Sequence, residues 1–285
     1  MGVFWPAEPF VLSLGDRRVN VSRRAVVMGI LNRTSDSFYS PAATYDLDEF
    51  FARAEALVRE GADILDVGGV KAGPGDEVSE EEELDRVVPA IEELAKRFDV
   101  ALSVDTWRAA VAKASFDAGA VVGNDISGFA DPEYLSVAAA ASATVVATHI
   151  RLRPRVADPD PYYEDVTATV SEFLLERRRW ALAAGLRPDQ VVFDAGLDLG
   201  KTPAQSLQLL RDTPVLAALG SPLLLSASNK TFLGAYFGLE VHDRASASTA
   251  AVALGITQGC RIVRVHDVAG SVRVRDVLEQ IASAS

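Results

Sequence analysis

The sequence predicts a single (β/α)₈ barrel with an N-terminal β-hairpin, and three observations lead to this fold class. Short apolar runs alternate with segments of helical length along nearly the whole chain, which indicates parallel strands joined by helices. Eight of these runs end in polar or charged residues. The length of 285 residues agrees with the roughly 250 residues typical of such a barrel. We therefore predict one domain, 1–285, in which 1–24 form a hairpin extension.

The first elements follow from turn residues and periodicity. Two short runs, 10–14 and 17–21, flank Gly15-Asp16, which predicts a hairpin that plugs the barrel bottom. Barrel strands are then predicted over 25–32, 63–67, 101–105 and 120–125, and helices over 46–60, from Ser79 onward, over 107–118 and over 165–184. Ser79 with Glu80, Glu81 and Glu82 predicts a capping box. Phe173, Leu174 and Trp180 are predicted on the buried side of the helix over 165–184.

Four glycines support the number of repeating units. Gly61, Gly119, Gly185 and Gly259 each stand between a predicted helix and the next predicted strand. Glycine at that place supplies the left-handed conformation that ends many helices. Their recurrence supports a repeated helix-to-strand unit better than any one predicted helix does.

Composition limits the partners. A net charge of −12 and a pI near 4.8 argue against a broad surface for nucleic acid or for an anionic membrane. Cys260 is the only cysteine, which fits a reducing compartment, and we predict it to be a buried apolar residue. The start of the chain lacks a basic region followed by an apolar run. We therefore expect a cytoplasmic protein that acts on a small molecule.

Polar residues at the strand ends predict a single site. The strand ends of a barrel meet at one mouth. The predicted ends carry Asn32, Asp66, Asp105, Asp125, His149, Asp194, Ser226, Arg264 and His266. The lysines Lys71, Lys201 and Lys230 fall in the loops that follow. We expect a pocket rich in carboxylates that also accepts a small anionic substrate.

Seven segments resemble the dihydropteroate synthase family, in order and across nearly the whole chain. They are MGILNRTSDSF, DVGG, SVDTWRAAVA, AGAVVGNDISG, DAGLDLGKT, SASNKTFLG and RVHDV. The resemblance implies a (β/α)₈ barrel and a transferase of folate biosynthesis. By this resemblance, the expected reaction joins 6-hydroxymethyl-7,8-dihydropterin pyrophosphate to p-aminobenzoate or a related arylamine, with Mg²⁺, and releases pyrophosphate. The resemblance also implies a homodimer.

The resemblance assigns roles to residues of this chain. Asp105, Asn124 and Asp194 match pterin binders, and carboxylate and amide groups suit the donors and acceptor on a pterin edge. The other matches are Lys230 on the pterin ring, Arg264 stacked on the ring face, Asn32 linked to Mg²⁺, and His266 near the pyrophosphate. Ser228 and Lys201 lie in matching segments and are expected to bind substrate.

Three loops depart from the family pattern. In loop 1 (residues 33–45), Arg33 replaces a valine, Ser35 a proline, and Tyr39-Ser40-Pro41 interrupts the glycine end. In loop 2 (residues 68–78), 70–75 read VKAGPG where the family has Glu-Ser-Thr-Arg-Pro-Gly. After the seventh strand, Asn229 stands where an arginine is usual, and Ala195 replaces a proline. We hypothesise that Arg33 and Lys71 partly replace the lost arginine, in loops that close over the second substrate. Divergent second copies in the family carry loops of this kind.

Several alternatives remain open at this stage. Asp105 could only cap a helix, Asp66 and His149 could be structural, and Lys201 could be a solvated charge; Asp125 and Ser127 are predicted to be caps. Residues 195–202 nearly fit a phosphate-binding P-loop. The protein could also be a pterin sensor or carrier without turnover, or a related pterin-dependent methyltransferase, which would need a corrinoid partner.

Overall fold

Eight parallel strands form a closed barrel in this computed structural model, which describes residues 10–33, 43–73 and 75–283. A hairpin precedes the barrel and consists of β1 (Val11–Leu14) and β2 (Arg17–Asn20). The barrel strands are β3 (Val26–Asn32), β4 (Ile64–Gly68), β5 (Ala101–Asp105), β6 (Val122–Asp125), β7 (Thr144–Thr148), β8 (Val191–Asp194), β9 (Leu223–Leu225) and β10 (Cys260–Val265). Neighbouring strands follow the chain order, and β10 pairs with β3 to close the barrel. The predicted fold class is confirmed.

Helices surround the barrel and connect its strands. They are α1 (Ala43–Arg59), α2 (Glu80–Arg97), α3 (Ala109–Asp117), α4 (Tyr134–Ala140), α5 (Val166–Ala183), α6 (Pro203–Arg211), α7 (Thr213–Ala217), α8 (Thr231–Gly234), α9 (Ala245–Gln258) and α10 (Val268–Ser283). Gly61, Gly119, Gly185 and Gly259 have φ angles of 97°, 117°, 99° and 119°, so the predicted left-handed helix ends are confirmed. None of the helices in the described part of the chain combines the length and the apolar character needed to cross a membrane.

The hairpin covers the bottom of the barrel, as the sequence predicted. Leu12 and Leu14 pack in one apolar cluster with the first inward-facing residues of the strands, such as Met28, Ile64 and Val122. The Thr144 hydroxyl donates to the Ser13 carbonyl and ties β7 to the hairpin. Burial of this apolar surface stabilises the lower end of the barrel, and the polar strand ends stand at the opposite end.

Two details of the helices differ from the prediction. Helix α3 begins at Ala109 instead of residue 107, because Thr106 uses its hydroxyl to accept the Arg108 N–H over 3.3 Å in a turn before the helix. Leu174 of α5 is fully buried, as predicted, but Trp180 is 43% exposed. Trp180 lies beside the buried stripe formed by Val170, Leu174 and Ala181 and covers the Arg177 guanidinium, 3.8 Å from the ring centroid.

The register of the strands brings polar residues side by side at the mouth. Asn32 pairs with Gly68, Gly68 with Asp105, and Asp105 with Asn124 in adjacent strands. Residues in register in a parallel sheet point to the same face, and consecutive residues along one strand point to opposite faces. Val122 belongs to the inner cluster at the barrel bottom, so Asn124, two positions later, also faces inward, whereas Asp125 faces the helices.

Candidate active site

Arg264 is the centre of a charged network inside the mouth. Its Nε atom donates to Asp66 Oδ2 over 2.6 Å, and its Nη2 atom donates to Asp105 Oδ2 over 2.7 Å. Asn124 Nδ2 also donates to Asp66 Oδ2, over 3.1 Å. Two carboxylates from neighbouring strands therefore hold the guanidinium edge-on, which leaves its flat faces for other contacts.

Asp66 is more central than the sequence indicated. Its side chain is fully buried, and its Oδ1 atom has no hydrogen-bond partner among the described residues. A buried carboxylate is costly unless it is paired, so Asp66 depends on Arg264 and Asn124. The inward parity of Asp66 with Ile64 was the signal in the sequence that could have placed it in this network.

The environment of Asp105 changes its acidity. Burial raises the pKa of the Asp105 carboxyl to about 7, and the nearby Asp66 adds to this increase, whereas Arg264 opposes it. The N-cap of α3 is Arg108 and makes no side-chain capping bond, so Asp105 does not cap that helix. Asp105 is instead a carboxylate of the mouth whose charge changes near neutral pH.

Asp194 and Lys230 lie together on the other side of the mouth. Asp194 Oδ1 accepts the Gly196 N–H over 2.8 Å, and Lys230 Nζ donates to the Leu197 carbonyl over 2.6 Å. Burial raises the pKa of Asp194 and lowers that of Lys230, while their opposite charges moderate both shifts. Asp194 and Lys230 therefore interact electrostatically although they come from separate strand ends, and their roles in substrate binding stay predictions.

Lys201 has a different position from the predicted one. Its Nζ atom lies 2.9 Å from His149 Nδ1 and donates to the carbonyls of His149, Gly196 and Leu199 over 3.2, 2.8 and 3.0 Å. Three protons of an ammonium group are fully used by these acceptors. This geometry favours a structural role for Lys201 in the loop after β8, and we do not place it among the substrate contacts.

His149 is a structural histidine, as one of the open alternatives proposed. Its ring packs edge-on against Phe173, with ring centroids 4.8 Å apart. Burial and the neighbouring Lys201 lower its pKa to about 2, so the ring is neutral. Residues 195–202 do not form the P-loop that was an open alternative. Lys201 is buried under the carbonyls of its own loop, and α6 begins only at Pro203, with Thr202 as N-cap.

Ser228 and His266 meet at the rim. The Ser228 hydroxyl lies 2.9 Å from His266 Nδ1 and accepts the His266 backbone N–H over 3.2 Å. Arg53 of α1, which the sequence did not suggest, donates to the His266 carbonyl over 2.8 Å. Packing around the ring lowers the pKa of His266, and Arg264 and Arg53 lower it further. The neutral imidazole is therefore available for hydrogen bonding at the rim.

The two replacement cations differ in their surroundings. Arg33 Nη1 donates to the Arg86 carbonyl of α2 over 2.7 Å, and its guanidinium lies 5.7 Å from the Phe50 ring centroid. This geometry joins Arg33 to α1 and α2 instead of directing it toward the Arg264 network. Lys71 is exposed on loop 2. Ser35 and 39–41 fall outside the described residues.

Arg155 holds loop 2 from the opposite side of the mouth, and the sequence gave no signal for this contact. Its Nη1 atom donates to the Lys71 carbonyl over 3.0 Å, and its Nη2 atom donates to the Asp76 carbonyl. Its backbone N–H also donates to the Ala72 carbonyl over 3.2 Å, with φ at 64°. The loop after β7 thereby fixes the segment that lacks the usual arginine.

Asn32 stands at the mouth with room around its side chain. A Cβ atom at Gly68 would lie 3.1 Å from Asn32 Oδ1 and 3.6 Å from Asp105 Oδ2, so glycine keeps the space between these two side chains open. Among the described residues, no group of three or more histidine, cysteine or acidic side chains could hold a metal ion. Any divalent ion here would therefore take part of its coordination from substrate and water.

The predicted helix-capping role of Ser127 and Asp125 is wrong, because α4 begins at Tyr134 with Glu133 as its N-cap and has no side-chain capping bond. Asp125 instead holds the turn that follows β6. Its carboxylate accepts the N–H groups of Ser127 and Phe129 over 2.6 and 2.9 Å, and Ser127 Oγ accepts the Ala130 N–H over 3.1 Å. Burial raises the pKa of Asp125 to about 6. The neighbours Asn124 and Asp125 thus serve different purposes, because they face opposite sides of β6.

Known proteins share this architecture and sequence. The model of the family described as pterin binding enzyme matches residues 28–266. The chain is 36% identical over 259 residues to the dihydropteroate synthase of Haemophilus influenzae, covering 90% of this chain and 94% of that protein. It is 41% identical over 267 residues to the inactive dihydropteroate synthase 2 of Mycobacterium tuberculosis, covering 91% and 83%.

Solved structures agree with these relatives. The dihydropteroate synthase of Yersinia pestis, in a complex with a sulfonamide drug, has a TM-score of 0.90 at 37% identity and covers 97% of this chain and 100% of its own. That of Xanthomonas albilineans, in complex with 7,8-dihydropteroate, has a TM-score of 0.87 at 36% identity and covers 96% and 100%. This chain belongs to the dihydropteroate synthase family of folate biosynthesis.

Proposed function

We propose that this protein binds 6-hydroxymethyl-7,8-dihydropterin pyrophosphate in the barrel mouth and transfers its pterin methylene to p-aminobenzoate or a related arylamine. The observation that carries this proposal is Arg264, held edge-on by Asp66 and Asp105 beside Asn124. A planar cation with open faces suits a flat heterocycle. The adjacent carboxylates and amide suit the donor and acceptor edge of a pterin.

Each residue of the mouth has a separate role in the proposed reaction. Asp105, Asn124 and Asp194 orient the pterin edge, Arg264 covers its face, and Lys230 contacts the ring. The arylamine nitrogen then forms a bond to the pterin methylene carbon while the bond from that carbon to the pyrophosphate oxygen breaks. The arylamine gives up a proton to solvent. We infer a loose displacement, in which negative charge develops on the leaving pyrophosphate.

Residues at the rim of the mouth bind the leaving pyrophosphate in this proposal. Ser228 and the neutral His266 ring, 2.9 Å apart, supply hydrogen bonds near the pyrophosphate, and Lys71 supplies a cation from loop 2. Asn32 would hold Mg²⁺ through its amide oxygen, a hard donor that suits this ion together with phosphate oxygens and water. When bound, Mg²⁺ neutralises charge on the pyrophosphate. We propose Asn32 as its protein ligand because Gly68 keeps the space beside Asn32 open.

Loop 2 favours a second candidate function, that of a pterin-binding protein without synthase turnover. Its residues 70–75 lack the Thr-Arg pair of the family pattern, and a relative at 41% identity is named an inactive dihydropteroate synthase 2. Loss of a cation that stabilises a leaving group costs about a hundredfold in rate. Arg155 holds loop 2 in place from another loop, so this segment is ordered without the Thr-Arg pair.

One experiment separates the two functions. Purified protein is given the dihydropterin pyrophosphate and Mg²⁺, with and without p-aminobenzoate, and pyrophosphate release is measured alongside calorimetric binding of the pterin ester. Release that depends on p-aminobenzoate establishes the synthase. Tight binding without such release establishes the binding protein, and the absence of pterin binding contradicts both.

We also propose that the protein is a cytoplasmic homodimer. The single cysteine, Cys260, is buried and free, which suits a reducing compartment. The dimer rests on the family resemblance. Analytical ultracentrifugation measures the mass in solution, and a monomer at micromolar concentration would contradict the dimer.

A further inference from the structure

A second cavity lies beside the mouth, outside the Arg264 network. It has a volume of about 510 Å³ and lies between the loop after β7 and helix α5. Three arginines line it, Arg151, Arg153 and Arg177, together with apolar side chains that include Leu152 and Phe173. None of the residues that we place on the pterin lines this space. We refer to it as the arginine cavity.

The charges around the arginine cavity do not cancel. Arg151 is paired with Asp158, whose two oxygens accept from it over 2.5 and 2.7 Å, and Arg177 is paired with Glu176 over 2.5 Å. No acidic side chain is among the lining residues. Arg153 is exposed and forms no ion pair within the described part of the chain. The lining therefore carries three cations, of which two are paired.

Arg177 is fixed in place but not fully satisfied. Its guanidinium lies 4.0 Å from the Phe173 ring centroid and 3.8 Å from that of Trp180. Its Nε atom is buried and has no acceptor among the described residues. Aromatic rings hold an arginine in one orientation, and a buried N–H without an acceptor is unfavourable. Arg177 therefore contributes a fixed positive charge to the lining of the arginine cavity, while its Nε atom lies beneath the surface.

We propose that the arginine cavity binds a small carboxylate that carries an apolar body. A guanidinium group matches the geometry of a carboxylate, and Arg153 provides one that has no other ion-pair partner. The apolar wall, with Leu152 and Phe173, suits an aromatic or aliphatic body, as is usual for small-molecule sites. The volume of about 510 Å³ falls in the usual range for such sites. This site is separate from the proposed pterin site.

The first test uses benzoate as the probe, with two charge-reversal variants. Arg153→Glu changes a lining residue. Arg179→Glu is the matched control, because Arg179 is an exposed arginine of α5 that does not line the cavity. By calorimetry on the full-length protein, we expect Arg153→Glu to weaken benzoate binding by about tenfold or more. The control should change it by no more than about twofold.

A second comparison separates this site from the barrel mouth. Lys230→Ala should weaken binding of the pterin ester and leave the benzoate affinity unchanged. Loss of benzoate binding in Lys230→Ala would place the probe at the mouth and overturn the proposal. Equal weakening by Arg153→Glu and Arg179→Glu, or no saturable binding to the unmodified protein, would also overturn it. Inorganic phosphate tests the apolar wall, because phosphate binding as tight as that of benzoate would contradict selection for an apolar body.

Discussion

Arg264 and Asp105 lie 159 positions apart in the sequence, yet Arg264 Nη2 donates to Asp105 Oδ2 over 2.7 Å. The same guanidinium contacts Asp66, whose other oxygen has no partner among the described residues. Arg264 therefore stabilises two carboxylates as well as presenting a flat face to the mouth. Its removal affects both stability and binding, and the two effects are separable.

Arg264→Met should lower the free energy of unfolding by about 3 kcal/mol, because it leaves the buried Asp66 carboxylate without its cation. Urea denaturation with fluorescence detection measures this change. The double variant Asp66→Asn with Arg264→Met removes the unpaired charge and should recover part of the loss. If the double variant is less stable than Arg264→Met, the main contribution of Arg264 is not its pairing with Asp66.

Pterin affinity should rise with pH through neutrality. The pKa of Asp105 is raised from 3.8 to about 7, and we propose that its ionised form accepts from the pterin N–H groups. Between pH 6 and pH 8 the ionised fraction, and with it the affinity, should rise about tenfold. Calorimetry with the pterin ester measures this step. Asp105→Asn should weaken binding and remove the step, and a step that persists in this variant would assign the titration to another group.

The same carboxyl makes stability depend on pH in the opposite direction. Because its folded-state pKa is raised, the folded protein binds this proton more tightly than the unfolded chain does. The stabilisation that the proton on Asp105 gives to the folded state is fully present below pH 3.8 and is lost as pH rises through about 7. Urea denaturation of the unmodified protein and of Asp105→Asn, compared between pH 5 and pH 8, isolates it. The stability difference between the two should change across this range in the direction given, and a constant difference would contradict it.

Arg155→Ala should raise the KM for the arylamine and leave the affinity for the pterin ester unchanged. The variant removes two side-chain hydrogen bonds to loop 2, so the order of that segment is reduced without altering the pterin contacts. Arg179→Ala is a matched control elsewhere on the surface. Steady-state kinetics measures the KM, and limited proteolysis measures the rate of cleavage within loop 2. If neither changes in Arg155→Ala, other contacts hold loop 2 in place.

Lys71 and Arg33 should give different results, although both are new cations in their loops. Lys71→Ala should weaken binding of the pyrophosphate ester by about tenfold, the effect of one fixed cation near a phosphate. Arg33→Ala should mainly lower the free energy of unfolding, by about 1 kcal/mol, because it loses one hydrogen bond to the Arg86 carbonyl. Calorimetry and urea denaturation on both variants measure the two effects. If both leave ester affinity unchanged, neither replaces the missing arginine.

The sequence predicted the closed barrel, and the polar residues gathered at its mouth, because both follow from the periodicity of the strands. The pterin-binding roles came from the family resemblance and stay predictions. Asn124 and Asp125 are neighbours, and only the face of β6 to which each points separates a residue of the mouth from one that holds the turn after the strand. Lys201 looked like a solvated charge or a substrate contact, and the turns of its loop instead enclose it. Arg155 was not foreseen, because contacts between loops from distant strands depend on where each loop folds back.

The register that pairs Asn32, Gly68, Asp105 and Asn124 belongs to the backbone ladder of the barrel and uses no atom of residues 70–76. Changes at residues 70–76 therefore leave the spacing of these four residues intact. Substitutions at residues 70–76 can therefore change which acceptor binds, or whether one binds, without displacing the residues that we propose to hold the pterin.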